Sequence, residues 1–283
     1  MATPRTLVVV SDLHCGCQVG LCPADGIGLD EGGHYTPNAV QQATWAWWNE
    51  FWGEFVPVTT RKEPYDILLN GDWLDNEHHG AKTLISNNIE IQRRIAIRCM
   101  ERHVEVCQKA GGRFYVTRGT GVHDGESGQD VERIAEELGA VPDATGKFSR
   151  WEMWKRIEGP DSHCLVHALH HIGTTGSAHY ETSAPNRELV AEYVEAAQTA
   201  EEPPRFVIRS HRHRHTAVPL ATIHGRAWCV VTPSWQGKTG FAYRVAGARI
   251  SQPQFGGIIL RNGDEEVYWR EFWRCLSRPK IEV

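Results

Sequence analysis

Leu7-Val8-Val9-Val10-Ser11-Asp12-Leu13-His14 opens the chain with a β-branched run that ends in a carboxylate and an imidazole. Thr6 to Val10 is short and apolar on both alternating faces, the pattern of a parallel strand covered on two sides. Three later stretches repeat the arrangement. Asn70-Gly71-Asp72-Trp73-Leu74-Asp75 follows Ile67-Leu68-Leu69, His170-His171 follows Cys164 to Leu169, and Ser210-His211-Arg212-His213 follows Phe206 to Arg209. A lone D-x-H or H-x-H carries little information. Four donor-rich turns in this order, each at the carboxyl end of a strand, carry much more, because such ends converge on one crevice in open α/β sheets.

After His14, the Gly-rich stretch Gly16 to Gly33 reads as a surface loop, spanning about residues 15–37, over that crevice. Pro37 and Asn38 open a helix that carries Trp45, Trp47, Trp48 and Trp52 to about Phe55. The favoured reading of those indoles is a helix wedged against the core. Asp66 to Asn70 is the second strand. Ile89 to Ala110 is a long helix with Ala96, Met100, Val104 and Cys107 on one stripe, stopped by Gly111-Gly112. Arg113 to Thr117 is a third strand, and Asp130 to Leu138 a short helix.

Beyond about Arg150 strands dominate: Glu152 to Ile157, Cys164 to Ala168, Phe206 to Arg209, Thr216 to Ile223, Ala227 to Thr232, Gly257 to Leu260 and Val267 to Trp273. The helix Asn186 to Ala200 interrupts them. The expected fold class is α/β: two packed mixed sheets flanked by helices, an αββα sandwich. Because donors come from both halves, residues 1–283 read as one domain with a C-terminal β extension over 240–283.

Composition sets bounds. The chain has 283 residues, 23% charged and 41% hydrophobic, which is ordinary for a globular protein with a large core. A net charge of −5 advertises no global nucleic-acid field, so any such contact would need a local patch. No signal-like segment and no membrane-length apolar run is visible, and eight cysteines then read as reduced thiols in a cytoplasm. Cys15, Cys17, Cys22 and His34 lack the paired spacing of a zinc knuckle and read as buried or free thiols. P-loop, G-x-S-x-G and dinucleotide fingerprints are absent from the chain, which argues against those chemistries.

Oxygen and nitrogen donors without thiolate suit hard to borderline divalent cations, and a pair of such ions can clamp a phosphoryl group. The motif order D-x-H, G-D-x-x-D, a G-x-H-D-like turn, a His after a strand and then H-x-H is similar to the calcineurin-like metallophosphoesterase superfamily over residues 12–213. An RGT-x-x-H third motif, HH-x-G and a W-Q-x-K-T-like stretch resemble, more loosely, phosphoesterases encoded by phages and prophages. The resemblance implies Asp12, His14 and His213 on one metal, Asp72 bridging both, and His170 and His211 on the second. Asp75 matches the position that steadies the turn or a ligand imidazole from behind. Of His170 and His171 the family pattern favours the first, leaving His171 for substrate.

The third motif departs from the family. Where Gly-Asn-His-Asp is usual, the chain reads Arg118-Gly119-Thr120-Gly121-Val122-His123-Asp124. Alignment on His123-Asp124 puts Val122 at the Asn position; alignment on Gly119 puts Thr120 there, so the second metal lacks a donor. His123 reads as a general acid, with Asp124 as the carboxylate that holds its tautomer and raises its pKa. Arg118, Arg212 and Arg214 flank the centre and are candidates for phosphate oxygens, with Thr120, His78 and His79 on the rim.

The implied function is a dinuclear metal-dependent phosphoesterase, diester favoured over monoester, in which a metal-activated hydroxide attacks and His123 protonates the leaving oxygen. Manganese is the favoured ion; iron, zinc, nickel and cobalt are compatible. The expected partner is a phosphoester, nucleotide and nucleic acid included, without a membrane; oligomeric state is not legible. A nuclease with the same centre, or a non-catalytic binding module on this fold, are the alternatives.

Overall fold

A computed structural model describes residues 4–77, 83–160, 162–173, 177–223, 225–244, 251–264 and 266–277. In chain order the elements are β1 Thr6–Val10, β2 Ile27–Gly28, β3 His34–Tyr35, α1 Ala39–Glu50, α2 Val56–Thr59, β4 Asp66–Asn70 and α3 Ile89–Lys109. Then come β5 Phe114–Thr117, α4 Gly121–Asp124, α5 Gln129–Glu137, β6 Ser149–Arg150, β7 Glu152–Glu158, β8 His163–Leu169 and α6 Ser183–Thr199. The chain finishes with β9 Phe206–Arg209, β10 Thr216–Thr222, β11 Gly225–Val231, β12 Phe255–Asn262 and β13 Val267–Arg274.

Two mixed sheets form the body. One has the order β13-β12-β1-β4-β5-β6 and the other β10-β11-β9-β8-β7; β2 and β3 pair as a small hairpin. Strands β1, β4, β5 and β6 run parallel, as do β8, β9 and β11. The alternation of each strand decides the layers. Leu7, Val9, Leu68 and Ile258 of the first sheet meet Val166, Ala168, Phe206, Ile208 and Val230 of the second in one buried cluster. Val8, Val10, Ile67, Leu69 and Val116 turn the other way, onto α1, α3 and α5. Leu189 of α6 covers the outer face of the second sheet with Val207, Val218 and Cys229. The layering is helix, sheet, sheet, helix.

Several local expectations changed. Asn38 caps α1 with a reciprocal Gln41 bond, but the helix does not stop near Phe55. It passes through a π-helical turn, Phe51–Phe55, into α2. Pro57 has no N–H to offer the carbonyl four residues back, and a π turn absorbs that loss. Pro185 lies inside α6, which begins at Ser183 rather than Asn186; a proline in the first helical turn loses no bond the helix would have made. The two-residue β6 is too short to leave a sequence signal. The Gly-rich stretch after His14 is partly core: Cys15, Cys17, Leu21 and Cys22 are buried. The C-terminal strands β12 and β13 complete the first sheet, β12 lying against β1. No helix among the described residues is long and apolar enough to cross a membrane.

Trp48 and Trp52 are buried against Phe51, with Trp235 packing edge-on to Trp48, so the indole cluster belongs to the core. His103 stacks on Trp52 at 4.5 Å and 11°. Burial there, with Arg102 adding a like charge, pushes His103 from 6.5 down to about 3. Between those values the unfolded chain binds a proton that the folded chain refuses, so stability is full above 6.5 and falls on acidification. His103→Phe keeps the stack without the titration. From pH 7 to pH 5 the wild type is expected to lose about 2 kcal/mol more than the variant, read from urea melts at the two pH values. Equal losses would show that His103 does not carry the effect.

Candidate metal centre

Six donors sit just past the carboxyl end of a parallel strand: Asp12 and His14 after β1, Asp72 after β4, His170 after β8, His211 and His213 after β9; His123 lies in α4, the short helix that follows β5. The turns continue the strand pairing past the sheet. Asp12 N donates to Gly71 O at 3.0 Å, His14 N to Asp72 O at 3.1 Å, Trp235 N to Asp12 O at 2.9 Å and Ser210 N to His170 O at 2.9 Å. Nine non-glycine residues have positive φ among the described residues, and five of them are Asp12, His14, Asp72, His211 and His213. Each such residue costs about 1–2 kcal/mol relative to right-handed backbone, so the strain is concentrated where the side chains must turn back into the crevice.

Two glycines permit the close approach. A Cβ on Gly71 would come within 2.4 Å of His170 Nδ1, and one on Gly119 within 2.1 Å of Asp72 Oδ1. Beneath the donors a buried polar strap crosses the two sheets. Thr117 Oγ1 donates to Asn70 Oδ1 at 2.7 Å, Asn70 Nδ2 to Ser210 Oγ at 2.6 Å, and Thr232 Oγ1 lies 2.8 Å from Ser210 Oγ and 2.7 Å from Ser11 Oγ.

The donors converge. Among the described residues three groups can hold an ion: Asp12, His14 and His213; Asp72, His170 and His211; His14, Asp72 and His123, each with its ligand atoms within 4.8 Å of one another. His213 Nε2 lies 3.4 Å from Asp12 Oδ1 and 3.2 Å from His14 Nε2. Asp72 Oδ2 stands between the groups, 3.1 Å from His170 Nε2 and 3.9 Å from both His14 Nε2 and His211 Nδ1. Asp12 Oδ1, His170 Nε2 and His211 Nδ1 are buried without a hydrogen-bond partner. Buried polar atoms are rarely left so, and a ligand set aimed at a cation accounts for all three.

Charge points the same way. Burial alone would raise both carboxyls, yet His213 and His170 hold Asp12 below the usual range, and His170 and His211 hold Asp72 well below it. Burial would likewise lower His170, but Asp72 and Asp12 overcome it and lift the imidazole to about 10. Two ionised carboxylates with no solvent contact demand positive charge beside them; the His170 imidazolium supplies it here, and a bound cation would supply it on displacing that proton.

Imidazole orientation is set from behind. His14 Nδ1 lies 3.1 Å from Asp75 Oδ1, His170 Nδ1 2.7 Å from Asn70 O, and His123 Nδ1 2.6 Å from Asp75 O. Each acceptor keeps a proton on Nδ1 and leaves Nε2 for the centre. Gln236 Nε2 donates to the same Asp75 Oδ1 at 3.1 Å. Asp75→Ala should therefore weaken metal binding about 10–100-fold, with Asp75→Asn, which keeps an oxygen acceptor, less affected. Metal titration of the three proteins checks this; an alanine variant that binds as tightly as the wild type would refute it.

The third motif is corrected. Asp124 does not hold His123: its carboxylate is buried and accepts from the backbone N–H groups of Gly119, Asp72 and Trp73, tying the β4 and β5 turns together. Burial and Asp72 push it up to about 7. The orienting partner of His123 is Asp75, and its pKa is not raised: burial, with His14 at 4.5 Å edge-on, takes it down to about 4. Thr120 N and Oγ1 both donate to Asp72 Oδ1, at 2.6 and 3.0 Å, whereas Val122 is exposed.

The rim differs from expectation as well. Arg118 Nε donates to Ser149 and its guanidinium lies over Trp151, while Arg212 and Arg214 bond Glu181, so none of the three is aimed at the centre by its partners. His170 is fully buried; His171 is exposed beside it, 5.2 Å between ring centroids. His78 and His79 lie outside the described residues. Thr232 left no sequence signal; Asn70, Ser210 and Gln236 stand inside the quoted motifs, but nothing along the chain marked their bonds to one another or to Asp75. No family model matches the chain, and no curated protein matches it.

Proposed function

We propose that the protein is a dinuclear metal-dependent phosphodiesterase of the calcineurin-like kind. The observation that carries the reading is that Asp72, a member of the trio Asp72-His170-His211, also faces the trio Asp12-His14-His213, with Oδ2 3.9 Å from His14 Nε2. These six residues would hold two divalent cations, Asp72 facing both; manganese suits the mixed oxygen and nitrogen set, and iron, zinc, nickel or cobalt are compatible. Bound there, such ions supply Lewis acidity, neutralising phosphoryl oxygens and acidifying water.

The chain does the rest. In hydrolysis a bond forms from a water oxygen to phosphorus, the bond to the leaving oxygen breaks, and one proton passes to the leaving group. Asp75 O engages His123 Nδ1 and so leaves Nε2 as the nitrogen that would deliver that proton. A bound phosphodiester anion is the charge that would draw a proton onto an imidazole otherwise held near 4. Asp124 keeps Gly119 and Asp72 in register, and the cross-sheet strap keeps the two donor trios facing one another.

Protein purified without chelator should carry divalent metal and hydrolyse bis-(p-nitrophenyl) phosphate, lose that activity to a chelator and regain it with manganese. Absence of both bound metal and hydrolysis in manganese-supplemented protein would reject the reading. The unusual third motif gives a further expected result. Thr120→Asn should tighten the weaker metal site, because Thr120 already touches Asp72; Val122→Asn, on an exposed position, should not. Calorimetric metal titration decides, and two equally tight sites in the unmodified protein would show that no donor is missing.

A further inference from the structure

Trp151 occupies the seam between the two sheets. It follows β6, whose Arg150 pairs with Thr117 just before the Arg118–Thr120 turn. It precedes β7, whose Glu152 pairs with Leu169 just before His170. The register therefore sets Trp151 at the donor edge of both sheets, one strand from the turn that carries Thr120 and one from the turn that carries His170, with its indole against Arg118.

The residue is 53% exposed, although tryptophan is ordinarily well covered. Its ring is not loose. The Arg118 guanidinium lies 5.3 Å from the ring centroid. Arg118 is itself held by Ser149 Oγ at 3.1 Å, with Glu132 at 3.9 Å, and a Cβ on Gly128 would come within 2.8 Å of its Cδ. A cation against the indole fixes the ring before anything binds, which reduces the ordering cost of a second stacking partner. Trp154, three residues on, is different: it lies flat on His167 at 4.2 Å and 2° and already has its partner.

We infer that Trp151, backed by Arg118, is a stacking platform for a nucleobase, so that the substrates are phosphodiesters carrying a base. The inference rests on the phosphodiesterase reading for its chemistry. A base and its phosphodiester are joined by one sugar, so a platform on the turn adjoining the donors meets the base when the donors meet the phosphate. Stacking engages any base, because each has a π face.

Two p-nitrophenyl diesters with the same leaving group test it: the p-nitrophenyl ester of thymidine 5′-monophosphate and methyl p-nitrophenyl phosphate. Wild-type protein should prefer the first in kcat/KM. Trp151→Ala should reduce that preference about 10–100-fold, through KM, and Trp151→Phe should restore most of it. An unchanged preference, or an equal loss on both substrates together with lost metal, would overturn the proposal and leave Trp151 as a support for the Arg118 turn. Calorimetry with adenosine 5′-monophosphate and ribose 5-phosphate on manganese-loaded protein separates this from failure of the hydrolase reading. Tighter binding of the base-bearing ligand, weakened in Trp151→Ala, upholds the platform even without hydrolysis; equal binding of the two rejects it even with hydrolysis. A single-stranded oligonucleotide binding more tightly than the mononucleotide would identify a strand as the source of the base, and equal affinity a free nucleotide; both outcomes uphold the platform.

Discussion

Asp72→Asn is expected to lower phosphodiester hydrolysis on the order of 10³-fold or more and to reduce bound metal, because one carboxylate faces both donor trios. Its Oδ2 stands 3.1 Å from His170 Nε2 and 3.9 Å from His14 Nε2, within reach of an imidazole from each group. The fold should survive the change. Asn keeps an oxygen for the two Thr120 bonds, and losing the charge relieves repulsion with Asp12 and Asp124. Metal analysis, turnover and a thermal melt on one preparation make the test. A variant with full metal content and wild-type turnover would remove Asp72 from the centre of the mechanism.

His123→Ala separates two roles that the geometry leaves adjacent. As the group that protonates the leaving oxygen, its loss should cost about 10²–10⁴-fold in turnover, least for leaving groups as good as p-nitrophenolate. Bound metal should then change little. His123 also belongs to a donor group with His14 and Asp72, so a variant that instead sheds metal would make it a ligand. Leaving-group dependence and metal content together discriminate, since a lost ligand would slow good and poor leaving groups alike.

The structure brings together the six residues read as donors, and the reason they were readable is local. A strand buried on both faces leaves a short apolar run without polar alternation, and the next residues lie at its carboxyl end whatever the rest of the chain does. Thr6–Val10, Asp66–Asn70 and Phe206–Arg209 are of this kind, and all are buried throughout. The helical stripe of α3 is equally local, and Ala96, Met100, Val104 and Cys107 are all buried.

Partnerships between side chains were not readable in the same way. Adjacency in sequence suggested that Asp124 serves His123, but the short α4 turns Asp124 inward onto the backbone of Gly119, Asp72 and Trp73. Asp75, 48 residues earlier, takes the imidazole instead. Arg118, Arg212 and Arg214 looked equally available to phosphate; the first is directed to Ser149 and Trp151, the others to Glu181. The longer strands and helices, and the residues that stand at the ends of β1, β4, β8 and β9, were legible because burial periodicity is written along the chain; the short pieces β2, β3, β6 and α4 were not. Which nitrogen each imidazole presents, which carboxylates stay ionised and which arginines are already engaged were decided only when distant turns met across the two sheets, because hydrogen bonds and Coulomb interactions depend on distance in space rather than along the chain.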